Sequence, residues 1–282
     1  MSYEAEISRS NPTAFLFLID QSGSMADLAG NLMISKAQFV ANALNRVVMN
    51  LISRSSKAEG VRDYFDLGVI GYGGEGIENP LGGAFASNVF NEISLFEKFP
   101  VAIEDRITKS VDNQGRTMRQ KTKFPVWFVP SAKGNTPMKE AIKVAAVELA
   151  HWCDDHPQSY PPTVLHVTDG ASSDGDPEGV ARQMCQIGTE DGEVLLFNLL
   201  TSDDDSKSIK FPYTDTQISD SNGKCLFRMS SPLPNGVSLA AREKGYSISD
   251  GSRGFFYNVE PIEIVDFFDI GTRASSSSMM LR

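Results

Sequence analysis

The chain alternates short, continuous runs of apolar residues with longer segments in which apolar positions recur every three or four residues. The runs are too short for helices and are typical of strands buried on both faces of a parallel sheet. The longer segments are typical of amphipathic helices that cover such a sheet. Strands are predicted at 14–19, 64–71, 163–168, 194–200 and 254–257, and helices at 30–53, 136–152, 177–187, 236–244 and 261–268. This order predicts an α/β fold, a doubly wound, mainly parallel sheet flanked by helices on both faces.

The alternation of strand and helix breaks between residues 71 and 135. A glycine-rich stretch at 71–83 comes first, and the segment 106–129 then predicts a β-hairpin turning near 112–115, followed by a further short strand. We expect this part to be a β-hairpin insertion in one large domain. The predicted units are an N-terminal arm at 1–12, a domain at 13–272 with an insertion at about 75–125, and a flexible tail at 273–282.

Composition and charge narrow the functional classes. Hydrophobic residues are 41% and charged residues 22% of the 282 positions, which is typical of a globular protein. The net charge of -10 argues against nucleic acid or an anionic membrane as a partner. Three cysteines without a CxxC spacing predict neither a disulfide framework nor a zinc site. The first apolar run, at 14–19, is too short for a signal peptide or a membrane span, so we expect a cytoplasmic protein.

The strongest candidate for chemistry is DQSGSM, directly after the first predicted strand. Asp20, Ser22 and Ser24 offer one carboxylate and two hydroxyls within five residues, and hard oxygens of this kind suit Mg²⁺, Mn²⁺ or Ca²⁺. Aspartate and serine are also preferred helix caps, so a simple capping turn is the alternative.

Two later segments favour the metal site. GNTPM carries Thr136 at the start of a predicted helix, and HVTDG carries Asp169 at the end of a predicted buried strand. Ligands of doubly wound sheets bind outside the carboxyl ends of the strands. Asp20, Ser22, Ser24, Thr136 and Asp169 could therefore all meet along one edge of the sheet as candidate metal ligands.

These three pieces, in this order, resemble the von Willebrand factor A (VWA) domain and its metal-ion-dependent adhesion site (MIDAS), whose pattern is DxSxS, then Thr, then Asp-Gly. The resemblance covers about 13–270. It implies that Ser22, Ser24 and Thr136 bind the metal directly, whereas Asp20 and Asp169 act directly or through water. It also implies an open coordination position, which a Glu or Asp of a partner protein completes.

The short form of the chain is similar to stand-alone bacterial VWA proteins such as the TerY-like tellurium-resistance group. That resemblance implies a non-catalytic, metal-dependent protein-protein interaction module in a bacterial stress-response, tellurium-resistance-like or phage-defence system. The partners it implies are a protein kinase, a PP2C-type phosphatase or an AAA+ ATPase.

Enzymatic alternatives have weaker support. Residues 71–76 match GxGxxG, but Asn79-Pro80 stands where a dinucleotide-binding helix should begin, and there is no P-loop motif. His166 lies in a predicted buried strand and is expected to be a core residue. A Mg-dependent phosphatase or hydrolase with Asp20 as nucleophile remains an alternative, although Ser22 stands where a second aspartate is expected. A scaffold with a vestigial metal site is another.

Charge is unevenly distributed around the predicted site. Acids follow several strands, at Glu75, Glu78, 174–178 and 203–205, and they are either solvated loop residues or a negative rim for a cation and a basic partner. The segment 106–123 instead holds six bases and one acid. It is predicted to be either a sheet edge guarded by bases or a docking arm for an acidic partner.

Overall fold

The computed structural model describes residues 3–29, 33–74, 76–111, 117–201, 208–259 and 261–273. The strands of its main sheet are β1 (Thr13–Asp20), β4 (Phe65–Gly73), β5 (Gly76–Glu78), β6 (Phe90–Glu92), β9 (Thr163–Thr168), β10 (Leu195–Leu200), β11 (Ile209–Lys210) and β12 (Phe255–Tyr257). Seven of these eight strands lie in the order β11-β12-β10-β9-β1-β4-β5, and β6 also pairs with β4. The central pairings, from β12 to β4, are parallel, and the pairings of β11, β5 and β6 are antiparallel. The sheet therefore has a parallel centre and antiparallel edges.

Helices cover both faces of the sheet. They are α1 (Lys36–Ser55), α2 (Ile93–Lys98), α3 (Met138–Asp155), α4 (Glu178–Met184), α5 (Ser221–Met229), α6 (Asn235–Glu243) and α7 (Pro261–Gly271). Along β1 the side chains alternate between two hydrophobic cores. Phe15 and Phe17 pack in the core that includes residues of α1, α2, α6 and α7, and Leu16 and Leu18 in the core that includes residues of α3, α4 and α5. The predicted α/β fold, with helices on both faces of a mainly parallel sheet, is confirmed.

The first helix begins later than predicted. We expected it over 30–53, and the structure places it at Lys36–Ser55. The Oγ of Ser35 accepts a hydrogen bond from the N–H of Gln38, so a serine cap with glutamine three residues later sets the start. Met33, which lies inside the predicted range, is 90% exposed. Residues 30–32 lie outside the described residues.

The predicted hairpin is present as a separate two-stranded sheet formed by β7 (Ala102–Val111) and β8 (Thr117–Val126). Its predicted turn, 112–115, lies outside the described residues. The further short strand predicted before residue 129 was wrong, since β8 is followed by irregular chain. A second small ribbon pairs β2 (Ser56–Lys57) with β3 (Gly60–Val61).

Helices α2 and α5 and the short edge strands were not predicted. Of the predicted tail only Arg273 is described, and residues 274–282 lie outside. Among the described helices, none combines the length and the apolar character needed to cross a membrane.

Candidate metal centre

Two adjacent parallel strands bring the predicted acidic residues together. β1 ends at Asp20, and its neighbour β9 ends at Thr168, one residue before Asp169. Since both strands run the same way, their carboxyl ends meet at one edge of the sheet. The N–H of Ser22 donates to Oδ1 of Asp20 over 2.8 Å, which folds the chain back immediately after β1.

Three side-chain oxygens then converge at this edge. The Oγ atoms of Ser22 and Ser24 are 3.2 Å apart, and Ser24 Oγ donates to Oδ1 of Asp169 over 2.7 Å. Magnesium-oxygen distances of about 2.1 Å place adjacent octahedral oxygens about 3 Å from one another. The chemistry of these oxygens and the two distances between them therefore fit a hard divalent cation.

Asp20 lies behind this group of oxygens. It is 1% exposed, and its Oδ2 accepts a hydrogen bond of 2.6 Å from the hydroxyl of Thr168. Burial raises the pKa of Asp20, and hydrogen bonds from Ser22 and Thr168 oppose that rise. The carboxylate is held by donors on both oxygens, so it orients the Ser22 turn and adds negative charge beneath it.

Asp169 has a second partner that the sequence analysis missed. The ammonium of Lys36, the first residue of α1, lies 3.4 Å from Asp169 Oδ2, and the two side chains are only 6% and 1% exposed. Burial raises the pKa of Asp169, and the Asp20 charge raises it too. The hydrogen bond from Ser24 and the Lys36 ammonium lower it. A cation of the chain itself is thus part of the cluster.

Thr136 lies on the neighbouring loop. Its backbone N–H donates to Ser173 Oγ, and its carbonyl accepts from the N–H groups of Ser173 and Met138. The same loop touches the Ser22 turn, because Gly23 N–H donates to Gly134 O over 3.0 Å. Among the hydrogen bonds of the described residues, none joins the Thr136 hydroxyl to Asp20, Ser22, Ser24 or Asp169. Its role as a ligand stays a prediction.

Glycines allow the loops to approach each other. A Cβ on Gly73 would lie 2.5 Å from the backbone carbonyl of Gln21, and one on Gly134 would collide with the backbone of Gly74. Gly134 also has a φ of +73°, which favours glycine. The glycine-rich stretch after β4 thus leads into the antiparallel strand β5 beside the Ser22 turn. Among the described residues of this stretch, none begins a dinucleotide-binding helix.

The acidic residues at this edge have distinct partners. Asp174 accepts hydrogen bonds from the N–H groups of Lys139 and Glu140 at the start of α3. Glu178 is paired with Arg182 and Arg228. This part of the predicted rim consists of caps and ion pairs, and Glu75 and 203–205 lie outside the described residues.

A second group of side chains also carries atoms that could bind a metal ion. Atoms of Asp176, Glu178 and Cys225 lie within 4.8 Å of one another. Asp176 is exposed, and Glu178 already has two arginine partners. All three cysteines of the chain are free thiols.

His166 is a core residue, as the sequence analysis expected. It is fully buried, and it links Tyr72 Oη, at 2.6 Å from Nε2, to Asn198 Oδ1, at 2.7 Å from Nδ1. Burial lowers the pKa of His166 to about 4. The imidazole is neutral near pH 7 and enclosed in a hydrogen-bonded chain of core side chains.

The basic hairpin neutralises part of its own charge. Arg106 pairs with Glu104 and lies over the ring of Phe124, and Lys123 pairs with Asp105. The two acids stand just before the segment 106–123, which is why the sequence count did not include them.

No family model matches the chain, and no curated protein matches it. Among solved structures, it is similar to the pilus adhesin SpaC from Lactobacillus rhamnosus GG, with a TM-score of 0.49 and 10% identity over 96% of this chain and 32% of that one. It is also similar to the manganese-loaded TRAP protein of Plasmodium vivax (TM-score 0.39, 11% identity, 92% and 74%). A third is the vWF domain of the type V pili tip protein Mfa5 from Porphyromonas gingivalis (TM-score 0.33, 13% identity, 57% and 39%).

This chain spans about a third of the length of SpaC and about two fifths of the Mfa5 structure. Because every one of these TM-scores is below 0.5, the likenesses carry no part of the functional argument. The α/β architecture rests on the strand order and the helix layers described above.

Proposed function

We propose that this chain is a non-catalytic protein-interaction module that binds its partner through a divalent ion. The proposed ligands are Asp20, Ser22, Ser24, Thr136 and Asp169, and the proposed ion is Mg²⁺, with Mn²⁺ and Ca²⁺ as the related candidates. One observation carries the proposal. The Oγ atoms of Ser22 and Ser24 lie 3.2 Å apart, and Ser24 Oγ lies 2.7 Å from Asp169 Oδ1. These distances are close to the spacing of adjacent octahedral ligands.

The composition of the cluster supports a role in binding. Two carboxylates match the charge of a divalent ion, and neutral hydroxyls add oxygens without adding charge. Such an ion accepts a further oxygen ligand, and a Glu or Asp side chain of another protein supplies one. Ser24 is exposed, so a partner can reach this edge.

The motif resemblance supports the biological setting that we propose. In that setting the chain is a cytoplasmic, TerY-like component of a bacterial stress-response, tellurium-resistance-like or phage-defence system. Its proposed partners are a protein kinase, a PP2C-type phosphatase or an AAA+ ATPase.

Two features favour binding over catalysis. Both oxygens of Asp20 accept hydrogen bonds, and the side chain is buried, which is a poor arrangement for a nucleophile. His166, the histidine nearest to the cluster in sequence, is enclosed in the core. Neither residue is placed to attack a substrate or to move its protons.

Partner capture tests this function. The tagged full chain is incubated with lysate of its native cells in Mg²⁺ or in EDTA, and captured proteins are quantified by mass spectrometry. We expect a defined set that is captured in Mg²⁺, lost in EDTA and lost with Ser22→Ala or Asp169→Ala. Asp66→Asn, a change in a distant buried carboxylate, should retain that set. Capture that is indifferent to EDTA and to both alanine variants would contradict the function.

A further inference from the structure

Lys36 stands at a position where its charge is unfavourable unless it has a partner. It is the first residue of the 20-residue helix α1, and the amino end of a helix carries partial positive charge that repels a cation. Its side chain is nonetheless 6% exposed, although a lysine ammonium is strongly hydrated in water. Burial of this charge therefore requires a compensating anion.

Asp169 supplies that anion, and Asp20 is a second buried carboxylate of the same cluster. The Lys36 ammonium donates to Asp169 Oδ2 over 3.4 Å, while Oδ1 of the same carboxylate faces Ser24. The Asp20 charge acts on Asp169 across the cluster. Two carboxylates and one ammonium give a cluster with one net negative charge, whereas the carboxylates alone would repel each other.

We propose that Lys36 is a tethered cation, which holds the carboxylate cluster together in the metal-free chain and competes with the divalent ion for it. This inference rests on the proposed metal site. An entering ion brings two positive charges to carboxylates that the ammonium already partly neutralises. The ammonium contacts Oδ2 of Asp169 and the ion would bind on the Oδ1 side, so the two cations repel each other across one carboxylate. The ion therefore weakens the contact between Lys36 and Asp169, and Lys36 raises the concentration of divalent ion needed for occupancy.

The proposed role of Lys36 predicts that its removal lowers the stability of the metal-free chain and raises the affinity for Mg²⁺. Lys36→Met removes the charge and keeps much of the apolar stem. In EDTA it should lower the thermal unfolding temperature, since two buried carboxylates then lack a counter-charge. In calorimetric titrations with Mg²⁺ it should raise the affinity at least tenfold, which is about 1.4 kcal/mol. Loss of packing alone would lower stability without raising affinity.

Lys139→Met is the matched control. It removes the same charge at the start of another helix on this edge, where the Lys139 ammonium lies near Gly175. We expect its Mg²⁺ affinity to stay within about twofold of the wild-type value, because the charge of a partly exposed lysine that is not paired with the cluster is screened by salt. If Lys139→Met raises the Mg²⁺ affinity as much as Lys36→Met does, the increase comes from the lower positive charge of the protein as a whole. The tethered-cation role of Lys36 is then overturned.

The wild-type chain provides a measurement that does not depend on the folding of a variant. Acetylation of Lys36 by a soluble acylating reagent, followed by mass spectrometry, is compared in EDTA and in saturating Mg²⁺. An ammonium whose contact with Asp169 is weakened should react several times faster in Mg²⁺, and Lys139 serves as the internal reference. Equal rates for Lys36 in both conditions overturn the proposal.

The outcomes separate this inference from the proposed function. If neither the wild type nor Lys36→Met binds Mg²⁺, Mn²⁺ or Ca²⁺, the metal site itself is wrong. If the wild type binds an ion and Lys36→Met binds it no more tightly, only the role of Lys36 is wrong.

Discussion

Two buried carboxylates, Asp20 and Asp66, lie at opposite ends of neighbouring strands. Asp20 is the last residue of β1, and Asp66 is the second residue of β4; they are 1% and 9% exposed. Burial raises the pKa of both. Oδ2 of Asp66 accepts a hydrogen bond of 2.9 Å from the indole N–H of Trp152, whose ring is stacked on His156. Around Asp20 the neighbours are hydroxyls, a backbone N–H and a second carboxylate.

The difference shows that burial of an acid does not by itself identify a site. Asp66 accepts a hydrogen bond from the Trp152 indole, which joins α3 to the sheet, and the charges of His156 and Asp63 act on it. Asp20 supports the oxygens of Ser22, Ser24 and Asp169, which can all turn toward one cation. The identity of the neighbouring atoms, rather than the pKa, therefore distinguishes a candidate metal centre from a structural contact.

The largest expected difference concerns the response to metal. Asp20→Asn removes a charge beneath the oxygen cluster, and it should weaken Mg²⁺ binding at least 100-fold, or about 2.7 kcal/mol. Asp66→Asn should leave Mg²⁺ binding unchanged. The measurement is the rise in unfolding temperature with added Mg²⁺, since an ion that binds only the folded chain raises its stability. Equal responses of the two variants would remove the distinction between the two ends of the sheet.

The second largest effect is expected where two backbone segments approach closely beside the candidate metal centre. Gly73→Ala places a Cβ against the Gln21 backbone, and it should cost about 2–3 kcal/mol in the free energy of unfolding. It should also abolish the Mg²⁺ response, because the Ser22 turn must shift. Gly179→Ala in α4 meets no atom within 4 Å and should be neutral or stabilising. Chemical denaturation in EDTA provides the measurement.

A smaller, pH-dependent effect is expected at Asp66. A carboxyl whose pKa is raised by folding destabilises the folded chain when it is ionised, above the raised pKa. That cost is lost as the pH falls through the raised pKa toward the ordinary value of 3.8. Asp66→Asn lacks the cost, so it should be more stable than the wild type at pH 8, and its advantage should shrink as the pH falls. An advantage that grows toward acid pH would show that the sign is wrong.

The smallest effect is expected in the hairpin, which belongs to neither end of the sheet. Arg119 and Lys121 are exposed. Arg119→Glu with Lys121→Glu should change the free energy of unfolding by less than about 0.5 kcal/mol and should not change Mg²⁺ affinity. Partner capture at low ionic strength distinguishes the two interpretations of the basic segment. Loss of a captured protein indicates a docking arm, whereas unchanged capture indicates a guarded edge.

The central strands could be predicted because each is an apolar run buried on both faces, and β9 has the predicted bounds. The start of α1 was placed too early because apolar residues before Ser35 continue the helical spacing. Helix α5 was missed because its first turn contains Asn222 and Gly223, both poor helix formers, so that its apolar residues lie in the second half.

The residues of the candidate site likewise include some that the sequence predicts and one, Lys36, that it does not. That Asp20, Ser22, Ser24 and Asp169 lie together could be predicted, because short motifs carry them at the ends of strands. The contact between Lys36 and Asp169 joins residues 133 positions apart, so only the packing of α1 against the sheet edge reveals it. A local signal existed in Ser35, a preferred helix cap, which would have placed Lys36 at a helix start had the helix not been predicted from residue 30.

The most direct test is a crystal structure of the wild-type chain with Mn²⁺, with the ion located by its anomalous scattering. The account predicts one strong peak within about 2.3 Å of Ser22 Oγ, Ser24 Oγ and an oxygen of Asp169. The same map shows whether the Thr136 hydroxyl is a ligand. The absence of a peak there at saturating Mn²⁺, or a peak bound only by Asp176, Glu178 and Cys225, would contradict the account.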